Sequence, residues 1–413
     1  VRLFQHDLFR RSALFASSII ASTLVGVFSI PILMAQVGAT SWGHLAVLQI
    51  AGQFFAVAAA FGWGATGPSM VSAADREDRK SIYVESLVVR GVLTAILVPL
   101  AAVAGLALTG QSADVVWLAA ITYVAPGLSA GWYLIGTNRP TGLFLFDALP
   151  AILGQVTGLV VVSFSPTLAS YLWSTATWAV LGIAASCAFV LTRKTDGPAR
   201  SRTRVSWGHL LRTQLGGAST MLAASVWSAA PTVLVQALSP QSVPMFAMID
   251  RLVKYGVLAL APVLQAIQSW VPEAGAEEVP HRSRRAVAVA LAIGGLGGGI
   301  LAIFAPLASD LLSLGQVSIP VYLAILAGAV FVCESVAQIA GLSSLVALGG
   351  TRHLAFSSVV GTCGGVLIAC ALVWWLGVLG AVLTMLVVAA WLMSYRVVWV
   401  GRLSARATAG GLA

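Results

Sequence analysis

Ionisable residues set inside apolar stretches are the candidates for chemistry in this chain. Asp250, Arg251 and Lys254 share one apolar run, Glu334 lies near the middle of another, and Glu85 with Arg90, Asp147, Arg212 and Arg396 occupy four more. A charge at the centre of a bilayer costs about 2.5–3.5 kcal/mol on insertion scales, so such groups face protein or a watery cavity. Arg251 stands three residues before Lys254, a helical spacing that puts both cations on one face. A cationic stripe of that kind suits phosphate or an acidic sugar; the alternative is an Asp250 ion pair with Lys254 snorkelling to the interface. Arg90 would continue the positive lining, and Gln49, Gln53 and Gln338 add neutral hydrogen-bonding groups at comparable depth. Glu334 is the lone deep carboxylate. It is either the partner of Arg90 or Arg251 or a protonatable site that couples transport to an ion, and Asp147 and Asp250 fall under the same two readings. Arg212 and Arg396 lie close to helix ends, where long side chains reach the interface by snorkelling.

The elements that position these residues follow from composition. The chain has 413 residues, 59% of them hydrophobic and 9% charged, with a mean hydropathy of +0.93. A soluble domain carries about 25% charged residues, so this chain uses lipid as solvent. Membrane helices of about 20 residues plus short turns fit this length about twelve times. The apolar pattern places them at 14–35, 44–71, 82–108, 115–136, 142–164, 167–191, 210–237, 245–271, 286–306, 319–348, 354–375 and 379–400. With the N-terminus inside, alternate connections hold Arg2, Arg10 and Arg11, then Arg76, Arg79 and Lys80, Arg139, Arg193 to Arg204, Arg282 to Arg285, Arg352, and Arg402 with Arg406. The opposite connections hold no Lys or Arg. This segregation predicts a multi-pass cell-membrane protein with both termini cytoplasmic, and it absorbs the net charge of +9, which in a soluble chain would suggest nucleic acid. The N-terminal run reads as a retained first helix rather than a cleaved signal.

Thr192 to Trp207, the longest polar segment, divides the chain into a six-helix bundle at 1–191, a cytoplasmic linker at 192–207 and a second bundle at 208–413. Pro31 to Gln36 (PILMAQ) and Pro231 to Gln236 (PTVLVQ) occupy equivalent places 200 residues apart, as in a parallel internal repeat. The fold class expected is therefore all-α and polytopic, with about twelve transmembrane helices in two pseudo-symmetric six-helix bundles around a central cavity. Pro31 and Pro231 are candidate hinges, whereas Pro68, Pro99, Pro126 and Pro262 shape their helices. Gly294, Gly295, Gly298 and Gly299 offer close helix contact. Cys187, Cys333, Cys363 and Cys370 have neither metal-site nor disulfide spacing and read as small core residues. No HExxH, GxSxG or Walker A motif is present, and the five histidines are scattered, so no metal site, cofactor or enzymatic activity is expected.

Trp42-Gly43 at the start of the second span, the stretch Phe61 to Asp78 (FGWGATGPSMVSAADRED) at its close, and Pro244 to Glu273, with Arg251 in its outer half and Pro272 near its inner end, resemble the polysaccharide-transporter branch of the multidrug/oligosaccharidyl-lipid/polysaccharide (MOP) exporter superfamily, the Wzx-like O-antigen flippases. The acidic residue that often precedes the span-two glycines in that family is absent, Ala60-Phe61 standing there. The resemblance implies movement of a lipid-linked oligosaccharide, typically on polyprenyl diphosphate, from the inner to the outer leaflet by alternating access. Arg251, Lys254, Arg90 and Gln53 would contact this cargo. It further implies H+ or Na+ coupling, membrane lipids and polysaccharide assembly proteins as partners, and no nucleic acid. A multidrug or metabolite antiporter of the same superfamily and a membrane-embedded glycan polymerase, ligase or glycosyltransferase are the other readings. The deep charges lean positive, against cationic drugs, and the chain lacks the sizeable outer loop or acidic motif such enzymes need.

Overall fold

Every backbone N–H and C=O in hydrocarbon needs an internal partner, so apolar runs of this length form helices. The computed structural model describes residues 2–75, 77–192, 207–272 and 275–410, and their side chains apart from 2–21, 207–213, 269, 275–277 and 408–410. The described residues are helical almost throughout and include no strand. In chain order the helices are α1 (Arg2–Ala60), α2 (Trp63–Ala73), α3 (Arg79–Thr109), α4 (Ala113–Val124), α5 (Gly131–Gly136), α6 (Pro140–Leu143), α7 (Leu149–Phe164), α8 (Leu168–Thr192), α9 (Trp207–Leu238), α10 (Val243–Ala259), α11 (Ala261–Trp270), α12 (Gly275–Ser313), α13 (Val321–Ile339), α14 (Thr351–Leu376) and α15 (Val378–Gly410). A π-helical turn at Phe144–Ala148 joins α6 to α7, and another at Ala340–Leu345 extends α13.

Ten of these helices or helix stacks are long and apolar enough to cross a membrane. One of them, Ser22–Ala73, is 52 residues long and breaks at Gly38 (φ 79°, ψ 162°), so it supplies two crossings. Helices α10 and α11, of 17 and 10 residues, follow one another through Leu260 and supply one more. Among the described residues this makes the twelve crossings expected. Two details differ from the sequence pattern. The first connection narrows to Gly38 alone, and α1 runs through Pro31 without leaving helical geometry. The second span does not run unbroken to residue 71: Phe61 (φ 42°) and Gly62 (φ 79°) divide it, because Gly62 passes so close to α9 that a Cβ there would lie 2.6 Å from the Gln214 carbonyl oxygen and 2.7 Å from the Ala218 nitrogen.

The chain forms two compact units, Val1–Ala229 and Ala230–Ala413, the boundary falling inside α9 one residue before Pro231. In the first, α1 packs on α3, α4 and α7, and α7 on α8. Its buried centre contains Trp63, Tyr83 and Trp132, with ring centroids 5.1 Å (Trp63 to Trp132) and 6.1 Å (Tyr83 to Trp132) apart. Glycine permits several of the contacts: Gly127 of the α4 break lies against the Ala56 carbonyl, and Gly158 of α7 against Tyr171 of α8.

In the second unit α13 packs against both α12 and α15, and α14 packs on α15. A Cβ at Gly298 would sit 2.6 Å from the Gly328 carbonyl oxygen, so α12 and α13 touch backbone to backbone. Lipid tails are as apolar as leucine, and it is such small-residue packing, rather than burial of large side chains, that holds membrane helices together. Large apolar side chains accordingly line the outside: Leu296, Ile300 and Ile303 on α12, and Leu367 and Trp374 on α14, are all exposed. Cys363 and Cys370 share that outer surface of α14 instead of belonging to the core, which corrects the expectation for those two; hydrocarbon accepts a thiol as readily as a core does. The segment 193–206, to which most of the expected linker belongs, lies outside the described residues, as does the Arg212 side chain.

Candidate functional site

In the first unit the charged residues serve a break in a helix. Pro126 removes an amide donor from the α4 line, the chain turns through a 3-10 segment at Ala125–Leu128, and helix resumes at Gly131. The freed carbonyls need donors. Arg90, buried in α3 with 1% of its surface exposed, supplies them: Nη1 donates to the Gly127 oxygen at 3.0 Å and the Ser129 oxygen at 2.8 Å, and Nη2 to Ser86 Oγ at 3.3 Å. Its guanidinium also lies 5.6 Å from the Trp132 ring centroid. Asp147, in the π-helical turn before α7, accepts a hydrogen bond from Ser129 Oγ at 2.6 Å, and the Gly131 amide donates back to that oxygen at 2.8 Å. Arg90 and Asp147 thus converge on one loop. Gln53 is exposed on α1.

A cleft of about 360 Å³ opens elsewhere on this unit, lined by Ser41, Gln111, Asp114 and Thr167 among others. Ser41, Gln111 and Asp114 lie in connections that the sequence shows to be free of Lys and Arg, and Thr167 opens the span read at 167–191. Gln111 Nε2 and His44 Nδ1 are 2.9 Å apart beside it.

The second unit holds the remaining candidates. Asp250 is buried in α10, and Lys254 Nζ, one turn on, donates to its Oδ2 at 2.7 Å, while 44% of the lysine side chain stays exposed. The ion pair anticipated as the alternative to a free cationic stripe is therefore formed, and Lys254 still reaches the surface of the unit. Arg251 is half-buried beside it. Glu334 of α13 lies one turn before Gln338, and Arg396 and Lys254 are cations close enough to act on it. Arg90, one of the two partners expected for it, donates instead to Gly127, Ser129 and Ser86. Contact between α13 and α15 brings Arg396 in from 62 residues further along the chain, a juxtaposition no local spacing encodes.

Arg396 itself is buried rather than snorkelling. Its Nη1 donates to the Ala337 oxygen at 2.9 Å, Nε to Ser357 Oγ at 3.1 Å and Nη2 to Ser358 Oγ at 3.0 Å, which joins α13, α14 and α15. Each unit therefore contains one buried arginine that donates to backbone carbonyls and serine hydroxyls. Sequence reasoning missed the serine partners, since a serine in a membrane helix carries no signal of which arginine it will meet. It also missed Gln214, which is 1% exposed, accepts a hydrogen bond from Thr66 Oγ1 and donates to Met70 Sδ at 3.2 Å.

Fold and site together define an all-α, multi-span membrane protein. Among solved structures it is similar to the lipid II flippase MurJ in an inward closed conformation (TM-score 0.70, 10% identity, 97% of this chain and 91% of that one). It is also similar to a multidrug resistance MATE family transporter of the MOP superfamily facing inward (TM-score 0.68, 17% identity, 92% and 95%) and to one facing outward (TM-score 0.56, 14% identity, 96% and 96%). The fold is shared with these solved structures. No protein-family model matches the sequence, and no curated protein matches it.

Proposed function

We propose that this protein is a flippase that carries a polyprenyl-diphosphate-linked oligosaccharide from the cytoplasmic to the outer leaflet by alternating access. The observation that carries the reading is the cationic pair on α10. Arg251 and Lys254 stand three residues apart on one helix, and Lys254 keeps much of its side chain exposed while it pairs with the buried Asp250. Basic side chains at membrane depth are costly unless they face a cavity or an anionic group, and a diphosphate rewards them. The likeness to a lipid II flippase supports the same class of cargo. Arg251, Lys254 and Gln53 would contact the headgroup. Arg90, expected to join them, has its guanidinium on Gly127, Ser129 and Ser86 and would act by holding the α4 break. Glu334, one turn before Gln338 on α13, is the residue proposed to couple H+ or Na+ to transport, with both termini cytoplasmic in a cell membrane.

A multidrug antiporter is the second reading, favoured by the likeness to MATE transporters and by Glu334 as a carboxylate for a cationic substrate. One experiment separates them. Arg251→Ala is expected to abolish export of a surface glycan, or flipping of a fluorescent polyprenyl-diphosphate sugar in proteoliposomes, while the protein still accumulates in the membrane. Full flipping by that variant, or ion-driven efflux of a cationic dye lost on Glu334→Gln with no glycolipid flipping by the wild type, would transfer the assignment to the antiporter.

A further inference from the structure

One face of α15 carries Trp391, Tyr395, Trp399, Arg402 and Arg406, at spacings of four, four, three and four residues. Those are helical intervals, so the five side chains form one stripe, and its aromatic part spans about 12 Å at 1.5 Å per residue. Helix α14 adds His353 and Phe356 beside it. The rings form a continuous ladder: Trp391 lies 5.4 Å from Tyr395, Tyr395 lies 5.5 Å from Phe356, and the His353 ring stacks on Trp399 at 3.5 Å. His353 Nδ1 and the Tyr395 hydroxyl are 3.2 Å apart, and the Trp391 indole donates to the Ser357 oxygen at 3.3 Å, so the ladder is fixed in position. Phe356 is 51% exposed. Trp391 is exposed like Phe356, while Tyr395 and Trp399 are half-buried, Trp399 against the core of the second unit, so the stripe is an anchored aromatic face with part of its rings turned outward.

At its end the character changes abruptly. The Arg402 guanidinium lies 5.2 Å from the Trp399 ring centroid, which pre-orients it. Arg402, Arg406 and Arg352, the last in the first turn of α14, are all exposed, and none makes a hydrogen bond or an ion pair with a described residue. The contrast with Arg282 is informative, since that side chain donates to Glu278 at 3.0 Å and to the Trp270 oxygen at 2.9 Å. Three guanidinium groups at the end of an apolar aromatic face, with their donors uncommitted, match an amphiphile that has an anionic head and hydrocarbon tails. A planar guanidinium takes phosphate oxygens in pairs, and aromatic rings at the membrane interface lie along the glycerol and upper acyl region.

We propose that this face of α14 and α15 is a binding site for an anionic glycerophospholipid of the leaflet on the arginine side. Arg402 and Arg406 take the phosphate, Arg352 adds charge from α14, and the Trp399 to Trp391 ladder bears on the acyl chains. The site is separate from Arg251 and Lys254, and it does not depend on what the protein transports.

The test is lipid retention by the full-length protein in detergent, read by native mass spectrometry, with dioleoylphosphatidylglycerol and dioleoylphosphatidylcholine as probes. Each surface arginine near an anionic lipid is worth about 1 kcal/mol, so the double variant Arg402→Gln, Arg406→Gln is expected to bind the phosphatidylglycerol about tenfold or more weakly, with phosphatidylcholine binding unchanged. Arg402→Lys is expected to fall between, because it keeps the charge and loses the paired donors. A control pair, Arg284→Gln with Arg285→Gln, removes the same charge from α12 and is expected to retain wild-type binding. Equal loss in the control pair would reduce the effect to general electrostatics and overturn the site, as would no loss in the first pair. Loss of binding to a polyprenyl diphosphate without loss of phosphatidylglycerol would overturn it in favour of the carrier lipid.

Discussion

Arg90 and Asp147 act on the same residue rather than on each other. Arg90 donates to the Ser129 carbonyl oxygen at 2.8 Å, and Asp147 accepts from the Ser129 hydroxyl at 2.6 Å. Replacing Arg90 with Met is expected to leave the Gly127 and Ser129 carbonyls without their side-chain donor at a helix break, at a cost of about 2–4 kcal/mol. Asp147→Asn keeps an acceptor and is expected to cost about 1 kcal/mol. Ser129→Ala is expected to fall between the two, because it removes the hydroxyl that serves both Asp147 and the Gly131 amide while the carbonyl that Arg90 uses survives. Thermal unfolding of the purified variants ranks the three.

Two glycines with the same φ of 79° predict opposite tolerances. An added Cβ at Gly38 meets nothing within 4 Å, so Gly38→Ala is expected to cost only the backbone strain of a positive-φ, extended-ψ conformation that is essentially glycine's own, about 1–3 kcal/mol. At Gly62 the same methyl would press on the α9 backbone, so Gly62→Ala is expected to displace α2 from α9 and to sharply reduce the folded protein recovered from membranes. Recovery of the two variants in equal amounts would contradict the close approach.

Adjacent glycines on α12 provide a third comparison. Gly298 faces Gly328 across the contact with α13, whereas Gly299 has open space. Gly298→Leu is expected to separate α12 from α13 and lower the unfolding temperature by many degrees, and Gly299→Leu to leave it within about a degree or two, since surface changes away from such contacts stay within about 0.5 kcal/mol. Size-exclusion profiles and melting curves of the pair decide this.

Lys254 compensates the buried Asp250, so removing one partner is expected to do more harm than removing both. Lys254→Ala leaves a buried carboxylate unpaired, whereas Asp250→Asn combined with Lys254→Gln leaves a neutral pair. Because the lysine side chain is 44% exposed, the expected difference is about 1 kcal/mol. Comparison of the single and double variants in chemical denaturation measures it.

Glu334→Gln keeps the size of the side chain and removes the charge beside Arg396 and Lys254. Under the coupling role proposed for Glu334, gradient-driven transport in proteoliposomes is expected to slow at least tenfold with protein amount unchanged. Unaltered turnover would make Glu334 a structural partner of Arg396.

Much of the architecture is legible in the sequence because lipid imposes a local rule. A helix satisfies its own backbone, so each crossing announces itself as an apolar run, and the runs read near 82–108, 167–191 and 354–375 correspond to α3, α8 and α14 to within a few residues at each end. The breaks were less visible. Pro126 marks one, but the start of α2 depends on where Gly62 meets α9, and the glycine run of α12 does not say that Gly298 faces a neighbour while Gly299 faces outward. Charged residues were found for a local reason too, since an ionisable group in an apolar run stands out.

Composition and pattern alone determined that this is a helical protein of about twelve crossings with basic residues segregated to alternate connections, because those properties depend on each residue and the solvent around it. Only the tertiary structure decided what the ionisable residues do. Arg90 and Arg396 donate to backbone carbonyls, Lys254 pairs with Asp250, and Arg396 is brought near Glu334 by the contact of α13 with α15. The physical reason is reach. A side-chain hydrogen bond forms within about 3 Å, and which groups come that close is fixed by helix packing between segments tens of residues apart.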